Sequence, residues 1–301
     1  MGLLDLIKKL FGLEVLPPGR FGIEELARRL DTPADGLACF EPTYRAFSIP
    51  KRGGGTRTIR APDPATKALQ RRVLRRLLGR LKHHPAVMGF EKGRSVVHNA
   101  LAHAGRPVVV RMDVRDFFPA TRADRVRRFF RLIGWDDAAA DVLLRLCADD
   151  GGLPQGAPTS PRLSNLVNLP LDQRLMALGA KAGAMYTRYA DDMTFSFARD
   201  DHAQVARVIR GTKLILDDYG YALHQGRKLR IRRRHQRQTV TGLVVNERPA
   251  LPRPVRRWLR AVQHHVQTGR PATLSAAQLA GWQALERMIA QQSGRAAGAD
   301  A

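Results

Sequence analysis

Asp191 and Asp192 stand side by side in YTRYADDMTFSF, residues 186–197, inside an otherwise apolar run. A third acid, Asp113, follows the β-branched run Val108-Val109-Val110 in RPVVVRMDVRDFF, residues 106–118. A carboxylate at the end of a buried strand is costly unless it is paired, hydrogen-bonded or bound to a cation. Set the 191–192 tip beside the end of the 108–113 strand and three carboxylates converge, whose mutual repulsion calls for a cation. Hard oxygen donors select Mg²⁺ or Mn²⁺. Two such ions suit in-line phosphoryl transfer, one activating the attacking hydroxyl and the other steadying the leaving oxygen. A DD turn can also be plain punctuation between strands; the aromatic and apolar flanks on both sides favour a framed site.

Those acids need a β-hairpin and a neighbouring strand. Met185, Thr187 and Tyr189 alternate with Tyr186 and Arg188, and Met193, Phe195 and Phe197 alternate with Thr194 and Ser196, which predicts two strands and a turn at the aspartates. YRAFSIPKRGGGTRTIRAP (44–62) reads as two more strands joined by a flexible turn from Lys51 to Thr56. Glycines flanked by Lys51, Arg52 and Arg57 can lay backbone and cations against phosphates, or form a plain turn. Helices are expected at 21–31, with Ile23, Leu26, Ala27 and Leu30 on one face, and at 65–84, with Leu69, Val73, Leu77 and Leu81 as the stripe. Arg71, Arg72, Arg75 and Arg76 lie mostly off that stripe, as a solvated face or a nucleic-acid contact. His83 and His84 have no partner at metal-ligand spacing. Further helices are expected at 121–132, 136–148, from Ser160 as N-cap with Pro161 in the first turn, 202–219, 253–267 and about 275–291. Strand-like pieces fall at 229–233 and 238–245, and the final residues read as a disordered tail.

The bulk composition narrows the partners. Lys plus Arg number 51 against 27 Asp plus Glu, a formal net charge of +24, which favours a polyanion such as nucleic acid. Genomic base bias could raise the arginine count but not the excess over acids. Cys39 and Cys147, far apart, form no CxxC pair, which argues against a zinc finger or disulfide scaffold and suits a reducing cytoplasm. No apolar run reaches the roughly 20 residues of a membrane span, so no membrane partner is expected. The start, MGLLDLIKKLFGLEVLP, is amphipathic without a signal-peptide core, and reads as a helix docked on the core rather than on a membrane surface.

With these residues in view, the chain resembles reverse transcriptases, and among them the bacterial retron type, over roughly residues 20 to 290. Tyr189-Ala190-Asp191-Asp192 matches the YxDD hairpin of motif C, and Asp113 with Phe117 and Phe118 matches motif A. Leu153-Pro154-Gln155-Gly156 followed by Ala157-Pro158-Thr159-Ser160-Pro161 matches motif B, and Ile49-Pro50-Lys51 with Gly54, Arg57 and Ile59 matches the fingers hairpin. Four motifs in this order are highly specific. Asn99-Ala100-Leu101-Ala102-His103 fits the retron NAxxH signature, and Val240-Thr241-Gly242 fits the VTG signature. Asn99 and His103, one helical turn apart, could instead cap or pack.

The resemblance implies an α+β right-hand polymerase fold. It places an N-terminal extension and fingers at 1–105, an antiparallel-sheet palm at 106–246, a short helical thumb at 247–292 and a disordered tail at 293–301. It implies Asp113 and Asp191 as the main ligands of two Mg²⁺ ions, or Mn²⁺, with the Val114 carbonyl helping and Asp192 as a third carboxylate. Phe118 would be the steric gate against a ribose 2′-OH. Gln155 and Gly156 would line the incoming nucleotide and template, and Arg57 with Lys51 would clamp its triphosphate, a task suited to a planar guanidinium. The family's motif D lysine falls in GYALHQGRKLRI, apparently one residue long, where Arg227 or Lys228 could serve; Lys228 releases a proton more readily. Asn99, His103, Arg256, Arg257 and Arg260 would contact nucleic acid, the three arginines at the minor groove of an RNA–DNA hybrid or simply on a solvated face.

The implied activity is RNA-directed DNA synthesis from dNTPs on a cognate structured noncoding RNA. Its product would be a branched RNA–DNA molecule (msDNA) serving anti-phage defence, with an effector protein as a further partner. The alternatives are another bacterial lineage, group II intron-like or diversity-generating, and a catalytically retired RNA-binding relative. The three intact aspartates speak against the last. No maturase or endonuclease extension is expected after the thumb, which speaks against a full intron protein.

Overall fold

The computed structural model describes residues 19–51, 54–224 and 229–297. The amphipathic start and the Arg227/Lys228 pair therefore lie outside the described residues. Along the chain run α1 (Ile23–Leu30), α2 (Ala34–Ala38), β1 (Tyr44–Pro50), β2 (Thr56–Pro62), α3 (Pro64–Arg72), α4 (Val96–Leu101) and β3 (Val108–Asp113). Then follow α5 (Ala123–Leu132), α6 (Asp137–Cys147), α7 (Ser160–Val167), α8 (Leu169–Lys181), β4 (Ala184–Tyr189), β5 (Asp192–Phe197) and α9 (His202–Asp218). β6 (Arg230–Arg233), β7 (Thr239–Val240), β8 (Leu243–Val244), α10 (Arg253–Gln267) and α11 (Ala276–Ala297) complete the order. Helix and antiparallel sheet are mixed, as expected for an α+β chain. No helix among the described residues is long and apolar enough to cross a membrane. The chain divides into two compact units, one of residues 1–90, 114–174 and 213–223, the other of 91–113, 175–212 and 224–301.

The first unit is built on helices. Leu26, Ala27 and Leu30 of α1 are buried as their spacing predicted, in a core with Val126, Phe130, Trp135, Leu143 and Leu163. Asp63 caps α3 by accepting from the Thr66 amide at 2.9 Å, with Pro64 in the first turn. The expected helix over 65–84 differs: α3 passes into a π-helical turn at Val73–Leu78 and stops. That wider turn lets Leu78 join Val73 and Leu77 in the core. Two of the off-stripe arginines have structural work. Arg72 donates to the carbonyls of Leu30 and Asp31 and to the Thr32 hydroxyl, and Arg76 donates to the Arg29 carbonyl, so they satisfy the C-terminal carbonyls of α1. His84 is buried, with Nδ1 accepting from the Ala86 amide. β1 and β2 pair from Tyr44↔Pro62 to Pro50↔Thr56, the hairpin expected at 44–62. Ser160 does not cap α7; it is the first helical residue, and its hydroxyl donates 2.7 Å to the Pro154 carbonyl.

The second unit holds a four-stranded antiparallel sheet in the order β4-β5-β3-β6. Alternation sorts its two faces. Val108, Val110 and Met112 lie opposite Phe197, Phe195 and Met193, and all six are buried. Val109, Arg111 and Asp113 share the other face with Ser196, Thr194 and Asp192. The expected strand over 238–245 is split into β7 and β8 by a turn at Thr241 (φ 45°) and Gly242 (φ 86°), a primed hairpin geometry. Val240 and Leu243 pack with Val97 and Ala100 of α4, Leu259 of α10 and Leu279 of α11. Trp258 and Trp282 meet edge to face at 5.9 Å. α11 runs to Ala297, beyond the end expected near 291 and into the stretch expected to be disordered.

Candidate active site

β3 delivers Asp113 at its last position, directly opposite Asp192, the first residue of β5. Tyr189 closes β4 opposite Asp192 from the other side, leaving Ala190 and Asp191 as a two-residue turn. Ala190 sits at φ 57°, a conformation glycine adopts more readily, and the Arg188 guanidinium braces the turn by donating 3.1 Å to the Ala190 carbonyl. Asp113 and Asp192 thus share one face at one end of the sheet, with Asp191 adjoining at the hairpin tip.

Two neighbours were not legible as site residues. Arg111, two residues before Asp113 and hence on its face, pairs with the Asp192 carboxylate through Nη2, while its Nε lies 3.3 Å from Oδ1. Burial lifts the Asp192 carboxyl above the ordinary range and Asp113 adds to the shift, whereas Arg111 and Arg230 oppose it. The signal for Arg111 was its i−2 spacing from Asp113. His224 places Nε2 3.4 Å from Asp113 Oδ1, and its amide donates 2.9 Å to the Asp113 carbonyl; no local pattern announces that contact. Among the described residues, no three His, Cys, Asp or Glu side chains stand together as a ready metal cluster. The register brings two of the three expected acids, Asp113 and Asp192, face to face, with Asp192 held by arginine and Asp191 next to it in the turn. Asp113 and Asp192 repel each other, and Arg111 supplies positive charge to Asp192.

Asn99 and His103 also depart from expectation. Both are buried, and neither side chain is open to nucleic acid. Thr187 Oγ1 donates 2.6 Å to Asn99 Oδ1, which spends its one proton, so the 2.7 Å contact with His103 Nε2 has the histidine as donor. Nδ1 is then the acceptor for the Ser196 hydroxyl at 2.8 Å. Thr187 and Ser196 lie on the face that carries Asp113 and Asp192, so α4 is pinned to that same face of the hairpin strands. Thr241 Oγ1 donates 2.9 Å to the Val96 carbonyl at the other end of α4. The NAxxH and VTG segments form one packing assembly, and their side chains position the hairpin.

The first unit carries the other expected residues. Gln155 accepts from the Arg60 amide at 2.9 Å through its carbonyl, which joins the LPQG segment to β2. Gly156 is required there: its φ is 137°, and a Cβ would lie 2.8 Å from the Arg60 carbonyl oxygen. Arg57 is exposed on the same strand, and Lys51 is exposed at the turn, where its amide donates 2.9 Å to the Gly55 carbonyl. The Phe118 ring lies 5.6 Å from Phe117 and 6.0 Å from Phe90. Val114 is buried and bridges Leu223. In the second unit Arg256, Arg257 and Arg260 are all exposed on α10.

Comparison with known proteins agrees with this arrangement. The family described as reverse transcriptase (RNA-dependent DNA polymerase) matches residues 49–236. The retron Mx162 reverse transcriptase of Myxococcus xanthus is 39% identical over 84% of this chain and 59% of its own length. The retron Mx65 reverse transcriptase of the same organism is 37% identical over 82% of this chain and 61% of its own. The retron Ec86 reverse transcriptase of Escherichia coli is 35% identical over 79% and 74%. The chain thus spans about 60% of the length of the two Myxococcus relatives. On the matched motifs, the matched length and these identities, the chain belongs to the reverse transcriptase family, in its retron branch.

Proposed function

We propose that the chain is an RNA-directed DNA polymerase that copies a cognate structured RNA from dNTPs and leaves an RNA–DNA hybrid, the branched msDNA of a retron in anti-phage defence. The observation that carries this reading is the in-register pair of Asp113 and Asp192 at the tip of the β4–β5 hairpin, with Asp191 in the turn. In right-hand terms, the β1–β2 hairpin belongs to the fingers, the four-stranded sheet to the palm, and α10 with α11 to the thumb.

The donor set fits a divalent cation. Asp113 at the end of β3 and Asp191 in the adjoining turn carry carboxylate oxygens, the ligands that Mg²⁺ prefers and Mn²⁺ accepts. Asp113 and Asp191, with the Val114 carbonyl, would hold two ions, and Asp192 would join once Arg111 releases it. Bound there, such ions supply activation of a hydroxyl nucleophile and charge neutralisation at the leaving phosphate. The protein's own part is positional. His224 holds Asp113 by its backbone carbonyl and stands against its side chain, and the pinned α4 keeps the hairpin strands in register. Phe118 would exclude a ribose 2′-OH, Arg57 and Lys51 would meet the triphosphate, and Gln155 with Gly156 would line nucleotide and template. Lys228, or Arg227, would supply a proton to pyrophosphate, and Arg256, Arg257 and Arg260 would follow the hybrid by its phosphates.

Primer extension on an RNA template with Mg²⁺, in parallel with RNA binding, tests the reading. Asp191→Asn should abolish synthesis and leave RNA affinity within about twofold, because the lost carboxylate would hold ions rather than RNA. Undiminished synthesis by the variant rejects the assignment, and a wild type that binds RNA without extending a primer favours the retired relative. Sequencing the nucleic acid that copurifies identifies the cognate RNA and separates a retron enzyme from other lineages.

A further inference from the structure

Arg111 of β3 lies directly opposite Arg230 of the edge strand β6, and Val109 lies opposite Arg232. Opposed residues share a face, so Arg111, Arg230 and Arg232 emerge on the face that bears Asp113 and Asp192. Like charges directly opposite in a sheet repel, and here a third guanidinium stands two residues along the same strand. With Arg237 and Thr239 these residues line a pocket of about 260 Å³, and no acid lines it. Arg111 is committed to Asp192 and to the Thr239 carbonyl at 3.4 Å. Arg232 and Arg237 are exposed, and no carboxylate pairs with either among the described residues. Among the described residues the fold gives Arg232 and Arg237 no carboxylate, and Asp192 is committed to Arg111, so the pocket keeps positive charge that a further anion would offset.

We propose that this pocket is a phosphate site, and that its occupant is a backbone phosphate of a nucleic-acid strand passing the β6 edge of the sheet. Guanidinium forks match phosphate oxygens in pairs, so Arg232 and Arg237 can hold a phosphate in position, while Arg111, kept on Asp192, adds charge alone. The phosphate chemistry follows from the pocket alone. Its source in nucleic acid rests on the reverse transcriptase reading, with free pyrophosphate as the competing source.

Two measurements test it on the full chain. Pyrophosphate titration is followed through the arginine Nε–Hε signals by NMR. Arg232 and Arg237 should shift in the wild type, and the response should vanish in R232Q/R237Q; no shift overturns the pocket. Affinity for an RNA–DNA hybrid is then measured against salt for the wild type, R232Q/R237Q, and R207Q/R210Q, which removes two exposed arginines from α9. R232Q/R237Q should weaken binding about tenfold at low salt and reduce the log–log salt slope by about one, the signature of one lost phosphate contact. The α9 control should keep the wild-type slope. Equal losses in both variants mean diffuse charge and overturn the proposal, and an unchanged slope with an intact pyrophosphate response overturns the nucleic-acid source. A wild type that binds no hybrid sinks the reverse transcriptase reading and that source together, while the pocket still stands or falls on pyrophosphate.

Discussion

His103 offers the most direct physical test of the positioning assembly. Burial, with Arg106 adding to it, lowers its pKa from 6.5 to about 3, so the folded protein holds it neutral, with Nε2 protonated toward Thr187. The unfolded chain takes up a proton near the ordinary value, about 6.5. The unfolded state therefore binds more protons below that value. Stability is full above about pH 6.5 and is lost progressively as pH falls toward about 3. Between pH 7 and pH 5 the loss from this one group is about 2 kcal/mol, at about 1.4 kcal/mol per pH unit once the unfolded histidine is charged. The assay is the urea midpoint at constant m-value across that range for the wild type and His103→Gln. Glutamine can donate to Thr187 but does not titrate, so its own cost appears at both pH values and cancels in the difference. The wild type should lose about 2 kcal/mol more than the variant over this range. An NMR titration assigned against the variant should show the native ring still neutral, with a single ring proton, at pH 5. A native His103 titrating near 6.5, or parallel pH profiles for the two proteins, refutes the buried neutral histidine and with it the pinning of α4.

Phe118→Ala should let ribonucleotides compete with deoxynucleotides, by about tenfold or more in relative kcat/KM, since a pocket that loses a large group loses its steric rejection; a sugar preference equal to wild type moves the gate elsewhere. Gly156→Ala should destabilise by about 2–4 kcal/mol, combining a left-handed backbone penalty with overpacking against the Arg60 carbonyl. A loss below about 1 kcal/mol in its denaturation midpoint would show that the LPQG segment and β2 separate readily.

The strands, their faces and most helices were determined by the sequence itself. Period-two alternation around Asp191 and Asp192, the valine run before Asp113 and the Gly-rich turn at 51–56 are local signals, and local steric rules convert them directly into hairpins and strands. Motif order pointed to the family, which the matched length and identities bear out. What the sequence left open depended on register between distant segments. Which guanidinium meets Asp192 follows from how β3 pairs β5, and that β6 sets Arg230 against Arg111 follows from a crossover no local pattern encodes. Spacing alone left Asn99 and His103 open between a contact with nucleic acid and a capping or packing role. Only tertiary packing, which places Thr187 and Ser196 from a strand pair some 90 residues away over their helix, made them a buried, satisfied network. The same holds for the π turn at Val73–Leu78 and the split at Thr241-Gly242, where core fit rather than propensity chose the backbone. Local propensity acts over a few residues, whereas burial and charge pairing are set by whatever the fold brings alongside, and there tertiary structure alone decided the electrostatics of the site.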